Sequence, residues 1–141
     1  MPVTVKKITL WRAEIENKPG TLAQCLAPLA GAGVDLQVLM GYRIPADEKK
    51  AVVEVFPVTG KKVAAVAQGA GMSAAAVPTL QVQGDNKPGL GHAIAQAVAE
   101  AGININFLIA QVVGATYSAV IGLDNEEDAK TATAIIKKVA R

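Results

Sequence analysis

The hydrophobic and polar positions of this chain change period several times, and the changes occur twice in one order. Residues 8–16 alternate in part, with Ile8 and Leu10 on the row that continues as Arg12, Glu14 and Glu16, and read as a strand. The turn Asn17-Lys18-Pro19-Gly20 follows. Leu22, Cys25, Leu26 and Leu29 then recur at i, i+3, i+4 and i+7, the stripe of a helix with one buried face. Pro19 suits the first turn of that helix, where its missing N–H costs nothing. Pro28 should kink or tighten the last turn, and Gly31 and Gly33 end it. Val34, Leu36, Val38 and Met40 alternate with Asp35, Gln37 and Leu39 as a second strand. Residues 44–50 read as a hairpin loop and 51–58 as a third strand. Residues 61–68 read as a short helix with Val63, Val66 and Ala67 inward. Residues 72–77 read as a short fourth strand that Pro78 ends.

The second half repeats this order. Asn86-Lys87-Pro88-Gly89 stands 69 residues after Asn17-Lys18-Pro19-Gly20 (86 − 17), and the same offset carries Ala32-Gly33-Val34-Asp35-Leu36 onto Ala101-Gly102-Ile103-Asn104-Ile105. Residues 80–85 read as a strand, and Ile94, Val98 and Ala101 mark a helix. Ile103, Ile105, Phe107 and Ile109 alternate with Asn104, Asn106 and Leu108, and residues 116–123 form the next strand. The last helix opens with Asp124 and Glu127 as a capping-box-like pair and buries Ala129, Ala132, Ile136 and Val139. Glu126 and Glu127 lie at its positive end, and Lys137, Lys138 and Arg141 at its negative end, as the helix dipole favours.

Each half therefore spells β-α-β-β-α-β, the ferredoxin-like pattern. The predicted fold class is α+β: two tandem units, residues 1–78 and 79–141, each an antiparallel sheet with two helices on one face. The second unit stops before a fourth strand of its own. Val34/Leu36/Val38/Met40 and Ile103/Ile105/Phe107/Ile109 are the expected helix-side rows. Asp35/Gln37/Leu39 and Asn104/Asn106/Leu108 are the opposite rows.

The 141 residues fit one or two small domains, and 51% hydrophobic with 18% charged residues is a folding composition. A mean hydropathy of +0.31 without a membrane-length apolar run points to apolar surface buried between subunits. The N-terminus lacks a signal-peptide pattern, and one cysteine cannot form an internal disulfide. These features favour the cytoplasm. A net charge of +2 with scattered lysines excludes nucleic acid as the expected partner.

The chemistry concentrates at the repeated turn. The first N–H groups of a helix lack internal partners, carry partial positive charge and receive carboxylates or phosphates. Gly20 and Gly89 allow close approach, and Pro19 and Pro88 fix the turn. Asn17 and Asn86 either bind a ligand or cap their own helices. Asp35 and Asn104 open the next strand, where an acid or amide suits an ammonium group or caps a turn.

Strand, Asn-Lys-Pro-Gly, helix and Ala-Gly-Ile-Asn-Ile together resemble the ACT domain, a small-molecule sensor most often bound to amino acids. Residues 101–111 are similar to the second-strand segment of aspartokinase regulatory ACT domains. The resemblance covers nearly the whole chain as two copies. It implies a regulatory protein that holds an amino acid at interfaces between ACT units, in a homodimer or higher homo-oligomer, with a regulated enzyme as a possible partner. It implies ligand contacts at Asn17 and Asp35 in the first copy and at Asn86 and Asn104 in the second, with Asn106 and Gln111 added. Copy one departs in having Asp35 where Asn is usual, and Tyr42 where copy two has Gln111. An exchanged strand completes such a sheet in some members.

No nucleophile–base pair is legible, so no enzyme is expected. His92 and Cys25 are single, which leaves no metal cluster and no cofactor site. The RNA-binding version of the topology needs exposed aromatics on its sheet, and aromatic content is 4%. The rival reading is an assembly module whose asparagines only cap helices.

Overall fold

The computed structural model describes residues 3–140. The chain opens with β1 (Thr4–Ile8) and continues through β2 (Trp11–Glu16), α1 (Thr21–Gly31), β3 (Val38–Ile44), β4 (Asp47–Phe56), α2 (Lys61–Gly69) and β5 (Ser73–Ala74). It then runs through β6 (Thr79–Asp85), α3 (Leu90–Glu100), β7 (Ile105–Val113), β8 (Thr116–Leu123) and α4 (Glu126–Val139). Two compact units form. The N-terminal unit is Thr9–Ala75; the C-terminal unit is the segment up to Ile8 together with Ala76 onward.

Each unit carries a four-stranded antiparallel sheet. The orders are β3-β4-β2-β5 and β1-β6-β8-β7. In the first sheet, the unit's own strands stand second, third, first and fourth, the ferredoxin-like arrangement. In the second, β1 takes the fourth-strand place. It lies against β6 from Thr4 opposite Gln83 to Ile8 opposite Thr79. Without it, β6 would present a row of unpaired N–H and C=O groups. The segment read as one strand over 8–16 is therefore two strands in two sheets, parted at Thr9 and Leu10. Thr4–Ile8, placed by the repeat with copy one, completes the other unit's sheet.

The cores follow the helical stripes except at Leu22 and Val139, which stay exposed. In the N-terminal unit, Cys25 and Leu29 of α1 and Ala67 of α2 pack with Ala13, Val53, Val55 and Met72. In the C-terminal unit, Ile94 and Val98 of α3 and Ala132 and Ile136 of α4 pack with Leu80, Val82 and Ile121, and β1 adds Val3 and Val5. The cap of α4 is Asn125, one residue later than Asp124. Its side chain accepts from the Asp128 N–H at 2.8 Å and donates back to the Asp128 carboxylate at 3.2 Å. Asn125 has the extended backbone of a cap, at φ −153° and ψ 169°. Arg141 lies outside the described residues.

The predicted sheet rows break in both units. Val34 and Leu36 pack on the helix-side core, but the strand begins only at Val38. Leu39 stands opposite Val55 and Gly41 opposite Val53, so those two take the helix side. Val38 and Met40 turn to the other face with Phe56 and Glu54. In β7 a register shift between Ile105 and Phe107 does the same. Ile103 and Ile105 stay with the core, while Phe107 and Ile109 share the far face with Gly122 and Val120. Slipping one residue moves every later side chain to the other face. The predicted loop over 44–50 is also shorter than expected: β3 and β4 meet across Pro45 and Ala46, and the fourth strand of that unit shrinks to two residues.

A Cβ on Gly122 would fall 2.2 Å from Cε1 of Phe107. Gly122→Ala is expected to cost about 1–3 kcal/mol of stability in denaturant unfolding. Phe107→Ala should remove most of that added cost in a double-mutant cycle. Simple additivity of the two changes would refute the contact.

Candidate functional site

Helices α1 and α3 are entered through left-handed glycines, Gly20 at φ 91° and Gly89 at φ 80°. A side chain at either position would be strained. Neither helix has a side-chain cap or an acidic residue in its first turn. Helix α4 has Asn125 as cap and Glu126, Glu127 and Asp128 behind it. The dipole of α4 is thus compensated from within, whereas α1 and α3 carry no such compensation.

The asparagines of the two turns do not cap. Asn17 Nδ2 donates to the Glu48 carbonyl at 2.8 Å, and the Asn17 backbone N–H donates to the Lys49 carbonyl at 2.8 Å. The turn is thereby fastened to the β3–β4 hairpin. The Asn86 N–H donates to the Ala115 carbonyl at 2.9 Å, the same tie in the C-terminal unit. The Thr21 hydroxyl further closes the first turn on the carbonyls of Glu16 (2.6 Å) and Lys18 (2.9 Å).

Beside this turn the N-terminal unit has a cavity of about 240 Å³. Glu16, Asn17 and Lys18 come from the turn, Thr21 and Leu22 from α1, and Gly41, Tyr42 and Arg43 from β3. Ile15, Ala51, Val52 and Val53 complete it. Its walls are mainly apolar, with two cations and one carboxylate at the rim. Lys18 Nζ lies 2.8 Å from Glu16 Oε2. The hydrogen bond from Lys18, and then its charge, hold the Glu16 carboxyl below the usual carboxylate range, and Glu16 raises the Lys18 ammonium in return. The Tyr42 hydroxyl donates to the buried Glu54 carboxylate at 2.9 Å. Burial, then that carboxylate, push the Tyr42 phenol up. The Tyr42 hydroxyl is thus committed to Glu54, on the sheet face away from the helices.

The candidate residues fall into two groups. Asn17, Pro19 and Gly20 form the turn beside the cavity, and Asn86, Pro88 and Gly89 form its counterpart. Asp35 and Asn104 follow the far ends of α1 and α3. An 11-residue helix is about 16 Å long, so within one unit these residues are not brought to the turns. Asn106 is also distant, with Nδ2 at 3.5 Å from Asp124 Oδ1. Gln111 lies on β7 opposite Ser118, on the sheet face away from the helices. Arg43, Ala51 and Leu22 escaped the sequence reading. Leu22 carried the signal of a core stripe, yet it is 39% exposed and lines the cavity. Arg43 and Ala51 reach the site only through strand register, which has no local signature.

His92 is exposed. Cys25 is buried, its thiol faces the Ala70 carbonyl at 3.7 Å, and burial pushes its pKa up, away from thiolate chemistry. Among the described residues, no group of three or more His, Cys, Asp and Glu could hold a metal ion, and no helix is long and apolar enough to cross a membrane.

The duplicated βαββαβ topology with two glycine-entered helices defines a class of paired ferredoxin-like modules. The chain belongs to the ACT domain pair family, whose profile matches residues 3–140. Its fold is similar to that of a protein from Bacteroides thetaiotaomicron, at 15% identity over 95% of this chain and 98% of that one, with a TM-score of 0.72. It is similar to the regulatory subunit of aspartate kinase from Thermus thermophilus in its ligand-free form (17% identity, 100% and 98% covered, TM-score 0.68). It is also similar to the aspartokinase alpha and beta subunits (16% identity, 99% and 97% covered, TM-score 0.65). No curated protein matches the chain at the level of sequence.

The Glu16–Lys18 pair is intact at neutral pH and is lost as the pH falls through the lowered Glu16 pKa. Lys18→Met should return the Glu16 carboxyl upward, toward its ordinary value, in an NMR titration of the side-chain carbons. An unchanged Glu16 titration would show that Lys18 does not hold it.

Proposed function

We propose that this chain is a regulatory protein that binds an amino acid or a similar small metabolite and couples occupancy to subunit association. The observation that carries the reading is the cavity at the uncapped N-terminus of α1, with Lys18 and Arg43 at its rim. The helix N–H groups and these two cations suit the ligand's carboxylate. Glu16 suits its ammonium. Ile15, Leu22 and Val53 suit an apolar side chain. The volume is below the roughly 300–1,000 Å³ of pockets for drug-sized molecules, which favours a smaller metabolite. Asn17 acts by holding the turn to the hairpin, and Asn86 is its counterpart.

The cavity opens along β3, an edge strand. A second copy laid against that edge would cover the cavity, and Asp35, Asn104, Asn106 or Gln111 of that copy would then be available to the ligand. A ligand that contacts both copies stabilises the paired state more than the separate one, and by linkage pairing raises affinity by the same factor. The folds of the aspartate kinase regulatory subunits support an enzyme as the regulated partner. The reading sets the protein in the cytoplasm, where free amino acids and their biosynthetic enzymes meet.

One observation favours the second reading, ligand-free assembly. Leu108, Ile109, Val112 and Val113 are large, apolar and exposed on β7, the edge of the other sheet. Association through β7 would need no ligand.

A thermal-shift screen of the amino acids separates the two. At a ligand concentration of 100 Kd, binding contributes about 2.7 kcal/mol, which raises Tm by several degrees. Arg43→Ala should weaken the responding amino acid about tenfold or more, the effect of removing a charged hydrogen bond. No response from folded, ligand-free protein to any amino acid would leave assembly as the function.

A further inference from the structure

The two units differ at one spot that bears on how many ligands a chain takes. In the N-terminal unit the cavity floor includes Ile15, Leu22 and Ala51, with Ile15 and Ala51 directly opposite each other on β2 and β4. The repeat carries Ile15 onto Gly84 and Leu22 onto Gly91, and the residue opposite Gly84 on β8 is Tyr117. Two large apolar side chains have become glycine, and alanine has become tyrosine. The volume has moved from one wall to the other.

Tyr117 is 5% exposed and belongs to the core cluster with Leu90 and Ile94. Its hydroxyl lies 3.7 Å from where a Cβ on Gly91 would stand, in the first turn of α3. That hydroxyl is buried without a hydrogen-bond partner. A buried phenol usually finds one, and filling a core needs only the ring. Here the polar tip is held at the uncapped helix entry, the place that the cavity opens in the other unit.

We infer that Tyr117 is a built-in occupant of the C-terminal counterpart of the cavity, so that each chain takes its ligand in the N-terminal unit alone. The count of one ligand rests on the function proposed above, whereas the occupancy by Tyr117 does not. The residue at the position of Ala51 and Tyr117 decides whether a unit is open or self-filled. Gly84 and Gly91 are the room made for the tyrosine.

Phenol, the part of the side chain lost in Tyr117→Ala, is the probe, since an engineered apolar cavity of this kind takes up an aromatic of matching size. Millimolar phenol should raise the Tm of Tyr117→Ala by about 2–4 °C and leave the unaltered protein and Tyr117→Phe unmoved. Folded Tyr117→Ala that ignores phenol would overturn the inference. If Tyr117→Ala does not fold, the swap Gly91→Leu with Tyr117→Ala rebuilds the Leu22/Ala51 arrangement. Its Tm should exceed that of either single change, and additive losses would overturn the inference. For an amino acid that shifts Tm, calorimetry should give one site per chain, and two equal sites would overturn the inference. A phenol response without any amino-acid response would sink the ligand reading and leave Tyr117 as occupant.

Discussion

The pairing of β1 with β6 is the interaction on which the C-terminal unit depends. The five residues Thr4–Ile8 supply the strand that lies along β6. They satisfy the edge of β6, and Val3 and Val5 enter the core that α4 covers. The pairing has a large loop-closure cost, because roughly 70 residues separate β1 from β6, but that cost grows only logarithmically with length. Both repeats thereby become complete ferredoxin-like sheets, although the copies are interleaved along the chain.

With both sheets complete, the helix entries become comparable. Each begins at a left-handed glycine after the same tetrapeptide, and each lacks the cap and acidic first turn of α4. What differs is the wall beside them. In the N-terminal unit, Ala51 leaves room under Leu22, and Glu16, Lys18 and Arg43 stand at the rim. In the C-terminal unit, Tyr117 fills the matching place beside Gly91. One backbone motif thus serves two ends, an open pocket and a packed core, through side-chain volume alone.

The edges carry the rest of the functional argument. β3 borders the cavity, and β7 exposes four large apolar residues. Exposed apolar edges seek a partner. Under the proposed function, a partner along β3 would link occupancy to association, whereas one along β7 would stabilise assembly regardless of ligand.

The sequence by itself determined the duplication, the order of strands and helices after β1, the glycine turns and most of the buried stripes, because these depend on local periodicity and on residues such as Gly20 and Gly89 that only one backbone shape suits. It did not determine where β1 pairs, because backbone hydrogen bonding carries no residue-specific code. It misassigned Val38, Met40, Phe107 and Ile109, because alternation persists in the sequence while the chain bends at Gln37 before β3 and the register slips at Asn106. Of the candidate site, Asn17 and the tetrapeptide turns were legible. Arg43 and Ala51 were not, nor was the exchange of volume among Ile15, Leu22 and Ala51 on one side and Gly84, Gly91 and Tyr117 on the other. Those assignments arise where strands from distant parts of the chain lie side by side, and only the tertiary structure decides which side chains then share a wall.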